Sequence, residues 1–218
     1  MAVTSDARGL FTEKHDSYAR FIRLVRYPQG LRAFFLHSPL LVSGLRVLDA
    51  GCGTGVVTLG LREAMLRRGL MPGSLQAFDL TPAMLDRFRA TLGRRGIAGV
   101  ETVQANVLDL GALPPGWTDY DLLVSASMLE YVPRDRFVEA LRGLRDRLRD
   151  GGVFVLFMTR RNWLTRPLIG RWWQSNLYGA AELRAAFTAA RFSAFRFRRF
   201  PPSAWHLAPW GHVVEARR

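Results

Sequence analysis

Apolar residues recur along the chain in two alternating modes. Short apolar runs at residues 45–48, 74–78, 100–105, 120–124 and 153–158 have the length and composition of buried strands. Between and after them, residues 54–68, 82–92, 134–149 and 180–190 carry apolar side chains at helical spacing, as in Met84, Leu85, Phe88 and Leu92. Strands alternating with helices predict a mainly parallel, doubly wound α/β sheet with helices on both faces. Residues 192–200 then alternate, Phe195 and Phe197 on one side and Arg196 and Arg198 on the other, which is the period of a half-buried strand; residues 211–216 return as the last strand. Ahead of all this, a helical pattern over residues 18–35 is interrupted at Pro28-Gln29-Gly30, which predicts two short helices or a kinked one.

The most specific stretch is Val-Leu-Asp-Ala-Gly-Cys-Gly-Thr-Gly at residues 47–55. A buried strand ends on an acid, and glycines at 51, 53 and 55 form a turn in which a ligand can approach the backbone. The dinucleotide fingerprint G-x-G-x-x-G requires a glycine where Val56 stands, so that reading is disfavoured. Asp-x-Gly-x-Gly-x-Gly closing a first strand resembles motif I of the class I S-adenosylmethionine (SAM) methyltransferases, and the resemblance runs from about Tyr18 to the C-terminus.

Asp79 closes the second strand ahead of Thr81, a good helix N-cap, and Pro82, a good first helical residue. A carboxylate at that sheet edge offers a planar pair of acceptors to a ribose diol, with Leu80 beside it for the adenine; capping the next helix is its structural alternative. The resemblance implies further cofactor contacts: Asp49, Gly51, Cys52 and Gly53 in the turn, Asn106 and Val107 at the adenine, Ser125 and Ala126 at the methionine end. Many members of the family carry an acid where Asn106 stands, and Asp109 is the rival for that role. Residues 1–44 correspond to an N-terminal helical lid, with Tyr18 expected over the cofactor and His15 and Phe11 as lid candidates, ahead of a single globular domain at 45–218. The family fold adds a seventh, reversed strand placed between strands five and six, giving a Rossmann-like sheet.

Cys52 is the only cysteine, and the four histidines lack metal-ligand spacing, so neither a disulfide within the chain nor a metal site is expected. The net charge of +13 is uneven: residues 159–218 carry eleven arginines against Glu182 and Glu215. Such a surface suits an anionic substrate, a phospholipid headgroup or nucleic acid, or simply solvates the protein. The N-terminus has no leader pattern and no apolar run approaches membrane-spanning length, so a cytoplasmic protein is expected.

The connection at residues 159–179 is longer than a usual loop and reads as a substrate-side insertion. It holds Arg160, Arg161, Trp163, Arg166, Arg171, Trp172, Trp173 and Tyr178; aromatic faces among arginines stack a flat anion, sit at a membrane interface, or cover the core. Trp205 and His206 lie in a later loop, with His206 a candidate general base or a structural histidine; Glu130 and Tyr131 are further candidates near the acceptor.

The reading is therefore a SAM-dependent methyltransferase that releases S-adenosylhomocysteine (SAH) and acts on an O, N or C nucleophile of a small molecule. A phospholipid or other membrane-associated acceptor is the first alternative, and a non-catalytic SAM-binding regulator the second. Nucleic acid is the least favoured partner, and the oligomeric state is not legible.

Overall fold

A computed structural model describes residues 22–163, 165 and 175–218. The expectations for Phe11, His15, Tyr18, Arg166, Arg171, Trp172 and Trp173 lie outside the described residues.

The chain runs α1 (Tyr27–Leu36), β1 (Arg46–Ala50), α2 (Val56–Arg67), β2 (Ser74–Asp79), α3 (Pro82–Arg94), β3 (Val100–Gln104), β4 (Tyr120–Ala126), α4 (Phe137–Asp146), β5 (Leu148–Thr159), α5 (Ala180–Ala189), β6 (Ala194–Arg198) and β7 (Gly211–Arg217). The strands form one seven-stranded sheet in the order β3-β2-β1-β4-β5-β7-β6. Neighbours from β3 to β5 pair in parallel, and β7 is antiparallel to both β5 and β6, as the resemblance implied.

The unbroken apolar runs are explained by burial on both sheet faces. One face sets Leu48, Leu123, Phe154 and Leu156 in a cluster with Phe137, Leu141 and Leu144 of α4 and Leu183 and Phe187 of α5. The other sets Val47, Val124, Val155 and Phe157 against Leu31, Phe34 and Phe35 of α1 and Leu61 and Met65 of α2. Phe34 meets Phe157 edge-on at 5.1 Å between ring centroids, which ties α1 to the sheet below the site.

Two boundaries differ from the expectation. Pro28 does not interrupt α1: it sits in the first turn, where a missing N–H leaves no bond unmade, and the break falls earlier, at Arg26 with φ 53°. The helix expected over residues 134–149 starts as a 3-10 turn at Arg134–Arg136 and ends at Asp146, because Leu148 pairs with Tyr120 and opens β5 through a register shift.

Many arginines are internal fasteners. Arg134 and Arg161 pair with Glu182, Arg196 and Arg198 pair with Glu215, and Arg145 donates to the Ala190 carbonyl just past the end of α5.

Candidate active site

The carboxyl ends of β1, β2 and β4 open onto a cavity of about 180 Å³, the place where ligands bind in open parallel sheets. Its floor is the glycine turn. Gly51 and Cys52 both donate their N–H to the Phe78 carbonyl, at 2.8 and 3.0 Å, which pins the turn to the end of β2. Gly55 has φ +83°, and a Cβ there would stand 2.0 Å from the Phe88 ring, so this glycine is required for packing against α3. Gly53, with φ +52°, has nothing within 4 Å of where a Cβ would be. It lines the cavity, and its missing side chain is room for a ligand.

Asp79 faces the same cavity. Its two oxygens accept the N–H of Gly53 and the N–H of Thr81, each at 2.8 Å. Burial raises its carboxyl above the usual range, and these N–H bonds oppose that rise. Asp79 therefore takes part in starting α3 as well, for the Thr81 side chain makes no capping hydrogen bond. Leu80, Asn106, Val107 and Ala126 complete the expected wall. The Asn106 side-chain oxygen accepts the Leu108 N–H at 3.0 Å, which holds the loop after β3 in place.

A second, narrower cavity of about 50 Å³ adjoins the first and shares Ile22, Tyr27, Ser127 and Tyr131 with it. Tyr27 Oη and Ser127 Oγ stand 3.5 Å apart at this passage. Beyond it lie Phe157, Phe200 and Leu207, with Glu130, Thr159 and His212 supplying polar groups. Glu130 is buried and accepts the Thr159 N–H at 3.1 Å; burial pushes its carboxyl above the ordinary range. Burial likewise lowers His212 to about 4, which keeps its ring neutral at physiological pH.

By sequence, residues 47–152 match the family model described as methyltransferase domain. That segment spans β1 through the start of β5 and holds the glycine turn, Asp79 and Asn106. The matched segment, just under half of the chain, is similar to the methyltransferase domain family. The resemblance carried by the glycine turn is thus borne out.

Among relatives, a ubiquinone biosynthesis O-methyltransferase of Xanthomonas euvesicatoria is 32% identical over 131 residues, covering 60% of this chain and 50% of that one. The aklanonic acid methyltransferase DauC of a Streptomyces species is 27% identical over 144 residues, covering 65% and 60%. The chain spans about half the length of the ubiquinone enzyme it matches, and 4% of a matching polyketide synthase of Cordyceps militaris. In fold, it superposes on a magnesium protoporphyrin IX methyltransferase of Synechocystis with a TM-score of 0.71 at 16% identity, over 98% of this chain and 99% of the other.

Within the matched segment several expected contacts fall elsewhere. Asp49 is buried behind the turn and off the cavity wall; one oxygen accepts both the N–H and the hydroxyl of Thr58, at 3.1 and 2.5 Å, so it anchors the first turn of α2. Desolvation raises it to about 7. Ser125 is fully buried and donates to the Ala50 carbonyl at 2.8 Å, a bond between strands rather than a wall position. Cys52 does line the cavity, but burial pushes its thiol up and away from nucleophilic reactivity.

The acceptor-side expectations fare differently. Tyr131 lines both cavities. His206 lines neither; its Nε2 lies 3.1 Å from the Val25 carbonyl and ties the loop after β6 to the segment before α1. Tyr178 is a core residue, stacked on Phe137 at 4.5 Å and covered by the Arg134 guanidinium. Arg160 joins Tyr178 in a short bridge, and Trp163 and Trp205 stand exposed; none of these lines either of the two cavities. Ser127, Met128 and Thr159 were missed. Ser127 and Thr159 are legible only as the residues at or just past the ends of β4 and β5.

Proposed function

We propose that the protein is a SAM-dependent methyltransferase acting on a small-molecule acceptor. The observation that carries this reading is the pairing, on one cavity wall, of the Asp79 carboxylate with the Gly53 N–H in a turn that leaves open space where a side chain would stand. The donor set fits the cofactor. Asp79 keeps acceptor lone pairs for the ribose hydroxyls, Leu80 and Val107 offer apolar contact to the adenine, and Asn106 keeps an amide for its edge. The backbone at residues 51–53, on the same cavity wall, would hold the methionine end.

When bound, the cofactor would supply an activated sulfonium methyl group for transfer to the acceptor nucleophile, leaving SAH, with the acceptor's proton passing to solvent. The chain's part is placement. Tyr27 and Tyr131 frame the passage between the cavities, whose walls are mainly apolar. No side-chain nucleophile is needed. The named relatives act in ubiquinone biosynthesis and on aklanonic acid, which supports a small organic acceptor.

The reading is tested by incubating the protein with SAM and acceptor panels and measuring SAH. Tight SAM binding with no SAH from any panel favours a non-catalytic cofactor-binding role instead.

A membrane-associated acceptor is the second reading, favoured by the exposure of Leu24, Trp163 and Trp205. His206 to Val25 and Asn162 to Pro209 bonds bring the segments bearing them to one end of the sheet. Among the described residues no helix is long and apolar enough to cross a membrane, so such an acceptor would be reached at a surface. Salt-sensitive binding to anionic vesicles supports it, and no binding at low salt removes it. Nucleic acid is not proposed, since Glu182 and Glu215 each engage two arginines of the protein itself.

A further inference from the structure

The narrow cavity at the ends of β5 and β7 stands beside the proposed cofactor site and joins it through Ile22, Tyr27, Ser127 and Tyr131. We propose that it receives the reacting end of the acceptor, and that this end is an uncharged hydroxyl carried on an apolar or aromatic frame. The inference rests on the methyltransferase reading and names the substrate class of that site.

Four observations lead there. First, among the described residues no arginine or lysine lines either cavity, although the chain carries +13 of net charge. Of the arginines in residues 159–218 that made an anion attractive as a substrate, Arg161 is turned to Glu182, Arg196 and Arg198 to Glu215, and Arg218 to the Leu148 carbonyl. Among the described cations, Arg160 acts on His212 through its charge but stands off the cavity wall, so an anionic end would enter without a guanidinium to bond it, at a desolvation cost of several kcal/mol.

Second, the polar groups are suited to a neutral partner. Thr159 and Ser127 carry hydroxyls that both donate and accept, and His212, neutral at physiological pH, presents no positive charge. Burial holds Glu130 towards its uncharged form, which weakens any claim of an ammonium on the same place.

Third, the remaining surface is apolar or aromatic: Val25, Phe157, Phe200, Leu207 and Trp210. Such walls reward a frame without charge. Fourth, size sets the depth of entry. A cavity of about 150 Å³ accommodates benzene, whereas this one offers about 50 Å³. It therefore takes the reacting group and its nearest carbons, and the remainder of the frame lies in the passage between Tyr27 and Tyr131.

The test uses the full chain saturated with SAH and three probes of one shape, benzyl alcohol, benzoate and benzylamine, followed by ligand-detected NMR. Benzyl alcohol is expected to bind at least tenfold more tightly than either ion. Val25→Phe, which fills the narrow cavity from a partly buried position, is expected to weaken that binding at least tenfold and leave SAH affinity unchanged. Thr159→Val, which removes a hydroxyl at the polar end without adding bulk, is expected to weaken it severalfold. Benzoate or benzylamine binding as tightly as benzyl alcohol overturns the uncharged class. Binding of benzyl alcohol that neither variant changes, or no binding of any probe while SAH binds, overturns the cavity's role. Failure of SAH itself to bind overturns instead the reading beneath.

Discussion

The Asp79 carboxylate accepts the backbone N–H of Gly53 across 26 residues of sequence, at 2.8 Å. This single bond fastens the end of β2 to the glycine turn after β1, and it presents the remaining lone pairs of the carboxylate to the cavity. Asp79→Ala should therefore weaken SAM binding by about 1.5–3 kcal/mol for each charge-assisted bond lost. It should also cost stability, since two N–H groups lose their acceptor. Calorimetry and denaturant unfolding separate the two effects, and unchanged affinity would place the cofactor elsewhere.

The glycines of the turn should respond unequally. Gly55→Ala puts a Cβ into the Phe88 ring at positive φ and should destabilise the fold by about 2–5 kcal/mol. Gly53→Ala meets open space and should cost only about 1–2 kcal/mol from its φ, yet lower SAM affinity at least tenfold, because the methyl occupies cavity room. Denaturation and titration on the same two variants provide the comparison.

Asp49 carries a pH signature. Its carboxyl is raised to about 7 in the folded protein, against about 3.9 in an unfolded chain. The folded state then binds the extra proton, so this contribution is fully present below pH ~4 and is lost as pH rises through about 7. Asp49→Asn keeps an oxygen for Thr58 and should flatten that part of the stability profile between pH 4 and 8, a difference of up to about 4 kcal/mol. Unfolding of both proteins at several pH values in that range checks it; parallel profiles would contradict the raised carboxyl.

His206 should behave as a fastener. His206→Ala removes the contact to the Val25 carbonyl and should cost about 0.5–1.5 kcal/mol of stability, while SAM affinity stays the same. Once an acceptor is known, the variant should keep the pH dependence of kcat; loss of a limb near neutrality would restore the base assignment.

The strands of the sheet, the glycine turn and the Asp79 edge were legible because they rest on local patterns: apolar runs, glycine spacing, an acid before Thr81-Pro82; the reversed last strand and the expected places of Asn106, Val107 and Ala126 came from the family resemblance. What failed depends on strand rotation and on long-range assembly. Asp49 and Asp79 both read as acids at strand ends, but Asp49 lies one residue inside β1 and turns to α2, whereas Asp79 is the last residue of β2. Ser125 and Ala126 are neighbours pointing opposite ways, so only Ala126 reaches the cavity. The narrow cavity draws on Val25, Glu130, Thr159 and His212, whose proximity no local pattern encodes. Aromatic residues after β5 were ambiguous for a similar reason: Tyr178 stacks inside on Phe137 while Trp163 is 85% exposed, and composition does not separate the two fates.

The most direct measurement is calorimetric titration of the purified protein with SAM and with SAH, alongside Asp79→Ala. The account predicts saturable one-to-one binding of both at micromolar or lower Kd, weakened at least tenfold in the variant. No binding of either compound, or equal binding by the variant, would contradict it.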